Sequence, residues 1–293
     1  MNLDHFAMDT ATLAGPLEAR LSAVRAAGFS HVVLNASEIA SHPGGEQAAV
    51  AAVRASGLRV CGFQVLRDFE GLSGHLHDYK VDVAKAMLRM CRAVGSELLV
   101  AWSSTSNHAS GDAAALVRDL RKLATLALPL GIRIGYEALS WGRHVDAYPK
   151  AAQLVDEADR ANLGLVLDSF HVLAARTALD ELDYVDSRKI FLVQLSDFLW
   201  HEARSAEERG EAGRHARVFP GEGVHSAELA DFIRRLDEMG YRGDYSFEVF
   251  NDDYLQLPPA TVAGRALKSA KWAIDHVSRR SLPMRRPDAP RPT

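Results

Sequence analysis

Short apolar runs rich in β-branched residues alternate with longer amphipathic stretches along nearly the whole chain, which restricts it to very few folds. Strands are predicted near Leu3–Met8, His31–Asn35, Arg59–Val65, Glu97–Trp102, Arg133–Glu137, Gly164–Asp168, Ile190–Gln194 and Tyr245–Glu248. Between them the spacing predicts helices over Gly15–Ala27, Gly45–Ser56, Asp78–Val94, Ala113–Leu128, Tyr148–Ala161, Ser226–Met239 and Pro259–Ser278, with an irregular piece after His171. Glycine follows several of these stretches, in AAG, ASG, AVG, PLG and EMG, where a left-handed C-cap is wanted. A repeat of about 30 residues is what parallel strands joined by helical crossovers require. In a chain of 293 residues, eight such strands predict an α/β fold built as one closed (β/α)8 barrel, for which about 250 residues is typical. The domain is expected over residues 1–279, and the Pro- and Arg-rich RSLPMRRPDAPRPT is expected to leave 280–293 as a flexible tail.

Four acid or amide residues stand where strands five to eight should end: Glu137 after GIRIGY, Asp168 after LGLVL, Gln194 after IFLV and Glu248 after DYSF. Their side chains are expected to converge at the carboxyl ends of the sheet, where barrel active sites are built. An oxygen-rich set of this kind suits a divalent cation such as manganese, magnesium or cobalt, with zinc as a further candidate. Any one of these residues can equally cap the following helix, so only the set as a whole points to a metal. The spacing from Gln194 to Glu248 is nearly twice the repeat, and the excess falls in Ser196–Gly223. A polar connection of that length is expected to cover an active site, with its EARSAEERGEAG middle mobile.

His171, in DSFH, lies close enough after Asp168 to handle a proton near a metal, although a histidine satisfied by a neighbouring loop fits equally. In EALSWGRHV, Trp141 and His144 are candidates to bind a small flat or hydroxylated ligand, against the reading of a surface loop with one packed tryptophan. LRDFEG offers Arg67 and Glu70 at the same face; Arg67 either grips a carboxylate or pairs with Asp68. Asp197, after the seventh strand, and His215 and Arg217, in HARVFPGEG, complete the candidate substrate-binding residues.

A net charge of −4 with interspersed signs argues against a nucleic-acid partner. The amino terminus lacks a basic region followed by an apolar one, and no run is long enough to cross a membrane, so a cytoplasmic location is expected. Cys61 and Cys91 are expected to be free buried thiols. No HExxH, paired-cysteine, P-loop, GxGxxG or GxSxG signature is present in these roles. Homo-oligomerisation is left open.

GYEALSWGRHV, GLVLDSFHVL, FLVQLSDF, RHARVFPGEG and FEVFND together resemble the xylose isomerase-like TIM barrels, and within them the bacterial 3-dehydroshikimate dehydratases, over about residues 10 to 275. The resemblance implies a divalent metal held by Glu137, Asp168, Gln194 and Glu248, and substrate-site roles for Arg67, His171 and Arg217. Related epimerases and isomerases usually carry histidine as the third ligand, so Gln194 in VQLSD points to the dehydratase branch. The implied activity is dehydration of a cyclic keto acid, 3-dehydroshikimate, to protocatechuate, with His171 removing the proton alpha to the ketone. Two alternatives remain: a sugar or sugar-phosphate isomerase or epimerase, with Glu137 and Glu248 as paired acid and base on a polyhydroxylated substrate, and a catalytically silent ligand-binding barrel.

Overall fold

Residues 1–278 are described in the computed structural model. Eight parallel strands run in chain order: β1 (Phe6–Asp9), β2 (His31–Asn35), β3 (Arg59–Leu66), β4 (Leu98–Trp102), β5 (Arg133–Glu137), β6 (Leu163–Asp168), β7 (Ile190–Leu195) and β8 (Tyr245–Phe247). Each pairs with its neighbours in sequence, and β8 closes the barrel on β1 through Phe6 opposite Tyr245 and Met8 opposite Phe247. Helices follow the strands and cover the outside. The expected tail at 280–293 lies outside the described residues. Among the described residues no helix is long and apolar enough to cross a membrane.

Strand geometry decides which side chains reach the interior. Successive residues point to opposite faces, so in each strand one set meets the helices and the other lines the barrel. Phe6, Met8, Leu99, Ile134, Leu165 and Val193 belong to the large core shared with the helices. Ala7, Val33, Leu98, Val100, Val166 and Leu192 form a separate cluster within the barrel. One inward position further along lie Asp9, Gln64, Trp102, Glu137, Asp168, Gln194 and Glu248. The interior is filled by small and branched side chains, and glycine is required where strands crowd. A Cβ on Gly135 would stand 2.6 Å from Val166 Cγ2, and one on Gly62 would stand 3.3 Å from Val33 Cγ2.

Three segments differ from expectation. The first strand starts later and ends later than Leu3–Met8, because Leu3–His5 is a 3-10 turn held by a reciprocal cap between Asn2 and His5. The helix expected from Asp78 begins at Gly74. The EARSAEERGEAG segment holds a helix where a loop was expected: Ala206–His215 is helical at the barrel mouth, with Ser205 and Glu208 capping each other's backbone N–H groups. After it, Arg217–Val218 pairs antiparallel with Asp197–Phe198 and ties the connection down at both ends.

Gly135→Ala tests the crowding. The added methyl should cost about 1–3 kcal/mol as strands and side chains shift, read as a lower midpoint in denaturant unfolding; an unchanged midpoint would refute the close fit.

Candidate active site

Glu137, Asp168, Gln194 and Glu248 are all buried, at the carboxyl ends of β5, β6, β7 and β8. They form one connected cluster. Glu248 Oε1 accepts from Gln194 Nε2 at 3.0 Å and from Gln64 Nε2 at 2.8 Å. Its Oε2 lies 3.1 Å from Arg217 Nη1, which also donates to Asp168 Oδ2 at 2.6 Å. Asp168 Oδ1 meanwhile caps the short helix Ser169–Ala174 through the Phe170 N–H at 2.8 Å. The alternatives of cap and cluster member, left open by the sequence, are thus both realised in one carboxylate.

Buried polar atoms almost always find partners, so clustered exceptions are informative. Both carboxylate oxygens of Glu137 and the side-chain oxygen of Gln194 are buried with no hydrogen-bond partner. Together with Asp168 and Glu248 they form a set of oxygen donors that fits a hard or borderline divalent cation. His171 stands beside them, with Nε2 3.5 Å from Glu137 Oε1 and 3.7 Å from Asp168 Oδ2. Its other ring nitrogen is held by Ser140, whose backbone N–H donates to Nδ1 at 3.0 Å and whose hydroxyl lies 3.0 Å from the same atom. A neutral ring that accepts at Nδ1 carries its hydrogen on Nε2, and that N–H, like the Glu137 oxygens it faces, makes no hydrogen bond.

Burial dominates the electrostatics. It raises Glu137 well above the ordinary carboxylate range, with the charges of Glu248 and Asp168 adding to the effect. Glu248 is pushed up to about 7 by burial, against the pull of Arg217. Asp168 is raised by burial although Arg217 is bonded to it. His171 is lowered well below the usual imidazole value, by burial first and then by Arg217 and Arg209. Burial works against the charge of Arg217, but Asp168 and Glu248 outweigh it and leave the guanidinium strongly protonated.

Above the cluster lies a cavity of about 290 Å³, lined among others by Arg67, Trp102, Trp141, Arg214, Arg217 and Phe250. Arg67 lies over Trp102 at 4.7 Å and Arg214 over Trp141 at 5.4 Å. Arg67 does not pair with Asp68, which instead accepts from the Thr105 N–H at 2.8 Å. Arg217 joins the two levels, lining the cavity while it holds Asp168 and Glu248.

Four expected substrate-binding residues are not brought to this cavity. Glu70 is buried behind its wall, accepting from the Ser104 N–H at 2.6 Å and the Tyr136 hydroxyl at 2.9 Å. His144 is turned to the Ala109 carbonyl at 2.9 Å. Asp197 accepts from Ser226 Oγ at 2.7 Å and the His225 N–H at 3.0 Å, anchoring the start of the helix Ser226–Glu238. His215 sits at the surface against Asp252, 3.0 Å away. Conversely, sequence reasoning passed over Asp9, Gln64, Trp102, Arg214 and Phe250. Strand alternation would have found the first three, since each lies one inward position beyond the barrel-lining residue Ala7, Gly62 or Val100. Arg214 and Phe250 depend on how a helix and a loop fold over the mouth, which carries no periodic signal.

A closed parallel barrel with its polar cluster at the strand carboxyl ends defines the class: a (β/α)8 barrel with a mouth-facing site. A family model for the xylose isomerase-like TIM barrel matches residues 21–274, and the chain belongs to that family. It is 36% identical over 260 residues to the 3-dehydroshikimate dehydratase of Pseudomonas aeruginosa, covering 89% of this chain and 40% of that protein. The chain therefore spans less than half the length of that relative. It is 27% identical over 208 residues to the inosose isomerase of Bacillus subtilis, covering 69% of this chain and 70% of that protein. The solved structure of a xylose isomerase-like TIM barrel/4-hydroxyphenylpyruvate dioxygenase fusion protein superposes with a TM-score of 0.88 at 33% identity, over 96% of this chain and 44% of that one.

The raised carboxyl groups set the sign of a pH effect. A carboxyl whose folded pKa exceeds its unfolded value favours the folded state while protonated, and that stability is lost as pH rises through the folded pKa. For Glu248 the window runs from the ordinary 4.5 to about 7. The melting temperature of metal-free protein should fall across this window, and Glu248→Gln, neutral at every pH, should flatten the fall. A fall of the same size in both proteins would show that Glu248 is not its source.

Proposed function

We propose that this chain dehydrates 3-dehydroshikimate to protocatechuate, using a divalent cation held by Glu137, Asp168, Gln194 and Glu248. The observation that carries the reading is the group of buried, unpartnered oxygens on Glu137 and Gln194, lying beneath a cavity walled by guanidinium and indole groups. That cavity suits a small, flat, anionic ring. Similarity to a dehydratase over most of the chain supports the same substrate class. Manganese, magnesium, cobalt and zinc all remain candidates, and the cytoplasm is the location the reading assumes.

When bound, the cation supplies Lewis-acid polarisation of the substrate ketone and its neighbouring hydroxyl, which makes the proton alpha to the ketone easier to remove. The protein must supply orientation and a proton acceptor. Arg67 and Arg214 have no carboxylate partner among the described residues and stand on Trp102 and Trp141, ready to take the ring carboxylate. The acceptor must own a free lone pair. His171, expected as the base, meets both the N–H and the hydroxyl of Ser140 at Nδ1, and we therefore propose Glu137 as the acceptor in its place. Glu137 takes the alpha proton, and the N–H of His171 Nε2 faces it from 3.5 Å with no hydrogen bond between them. Glu137 then returns the proton to the β-hydroxyl, which leaves as water, and tautomerisation gives the aromatic ring.

A second reading, an isomerase or epimerase acting on a polyhydroxylated ketone, is favoured by the similarity to inosose isomerase. Both reactions begin with the same proton removal and differ in whether water is then lost. Incubation in deuterated water separates them: the dehydratase yields the ultraviolet absorbance of protocatechuate from 3-dehydroshikimate, whereas solvent exchange into a ketose without loss of water would favour the isomerase. Glu248→Ala should abolish metal-dependent turnover while preserving the circular dichroism of the fold; full activity after chelation and metal titration would reject the ligand set.

The role proposed for His171 has its own test. In His171→Gln, the amide nitrogen can occupy the place of Nε2 and still present an N–H to Glu137, so turnover should stay within about tenfold of wild type. Loss of an essential base would cost about 10²–10⁴-fold instead, and a fall of that size would restore His171 as the base.

A further inference from the structure

The proposed ligand set contains one residue whose usefulness depends on which way it faces. A carboxylate offers oxygen from either side, but an amide binds a cation only through its oxygen, and turning Gln194 over would present an NH2 group instead. We propose that Asp9 and Gln64, which belong to no assigned ligand set, act as positioning residues that fix Gln194 with its oxygen toward the cation site. This role rests on the metal-site reading of the cluster.

Hydrogen-bond polarity fixes each amide in turn. Gln64 Nε2 donates to Asp9 Oδ2 and, at 2.8 Å, to Glu248 Oε1, so both hydrogens of that amide go to carboxylate oxygens. Reversing Gln64 would set its own oxygen against two acceptors. Its orientation is therefore fixed, and Gln64 Oε1 is left facing Gln194. Gln194 Nε2 donates to that oxygen at 3.1 Å and to Glu248 Oε1 at 3.0 Å, using both of its hydrogens. Reversing Gln194 would likewise oppose oxygens on both sides. The outcome is the buried, unpartnered Gln194 Oε1. Asp9 begins the chain of constraint, and both its oxygens are needed as acceptors. Oδ1 takes the Ala11 N–H at 2.8 Å while Oδ2 takes Gln64. All four side chains are buried, so water cannot substitute for a lost partner.

The test is manganese binding to metal-free protein by calorimetry, for Gln64→Met and Asp9→Asn, each alone and combined with Gln194→Met. Gln64→Met keeps the volume and removes the acceptor. Asp9→Asn is isosteric, yet has only one oxygen for two donors. Each single variant should weaken manganese binding about tenfold or more, as loss of groups that orient ligands does. In the Gln194→Met background the same changes should weaken it by a clearly smaller factor, because the amide they orient is gone. Equal losses in both backgrounds would overturn the inference, since Gln64 and Asp9 would then act through charge or through Glu248. Unchanged affinity in Gln64→Met and Asp9→Asn, with unchanged melting temperatures, would overturn it as well. If Gln194→Met alone binds manganese like wild type, the ligand set itself fails and takes this inference with it. Loss of binding in Gln194→Met together with wild-type binding in Gln64→Met and Asp9→Asn would reject the positioning role while leaving the ligand set standing.

Discussion

Burial of several carboxylates in one layer of a closed barrel is the constraint on which the rest of this structure depends. Glu137, Asp168, Glu248 and Asp9 are all removed from water, and burial raises each of their pKa values. Like charges so close together in a low-dielectric interior destabilise the fold unless cations or donors meet them. The protein meets them unevenly. Arg217 is assigned to Asp168 and Glu248, and Gln64 bridges Asp9 and Glu248, while Glu137 has no hydrogen-bonding partner. The uncompensated part of the layer is where a divalent cation would have most to gain, and a bound cation would hold all these groups ionised against the effect of burial.

Much of this was legible from the chain because one rule served twice. The strand-and-helix repeat predicts the barrel, and the period of two within a strand predicts which residues reach its interior. Glu137, Asp168, Gln194 and Glu248 stood out because each is a polar residue closing an apolar run. Asp9 and Gln64 obey the same alternation but were hidden. A capped turn at Leu3–His5 moves the first strand toward Asp9, and Gln64 lies inside an apolar run that continues through Leu66. Glu70, His144, Asp197 and His215 were candidates by position in loops, where no period exists. Each of their side chains has a nearer partner, such as Tyr136 for Glu70 or Ser226 for Asp197, and those partners come from segments distant in sequence.

The connection between β7 and β8 shows how a feature that reads as disorder becomes part of the site. Its charged middle lacks an amphipathic stripe, and its two glycines lower the helix propensity. Yet Gly213 is there because there is no room for more: a Cβ would stand 2.7 Å from the Trp141 ring and 2.9 Å from Phe170. That close approach seats the helix on the indole, and it places Arg214 over one face of Trp141 and Arg217 below the mouth.

Arg217 makes the two levels of the site interdependent. Its Nε donates to the Gly213 carbonyl at 2.8 Å, and its own carbonyl accepts from Asn251 Nδ2 at 2.8 Å, so the mouth helix and the segment after β8 converge on one residue. Phe170 at 4.5 Å and Phe250 at 5.3 Å enclose the guanidinium and keep water from it, which strengthens its hold on the carboxylates. A cation brought to the same acids would compete with Arg217 for Asp168 Oδ2 and Glu248 Oε2. Every shift of charge within the cluster is thereby felt by a residue that also lines the cavity. The polar layer and the mouth are for this reason one electrostatic unit, built by a guanidinium from a connection that sequence periodicity does not describe.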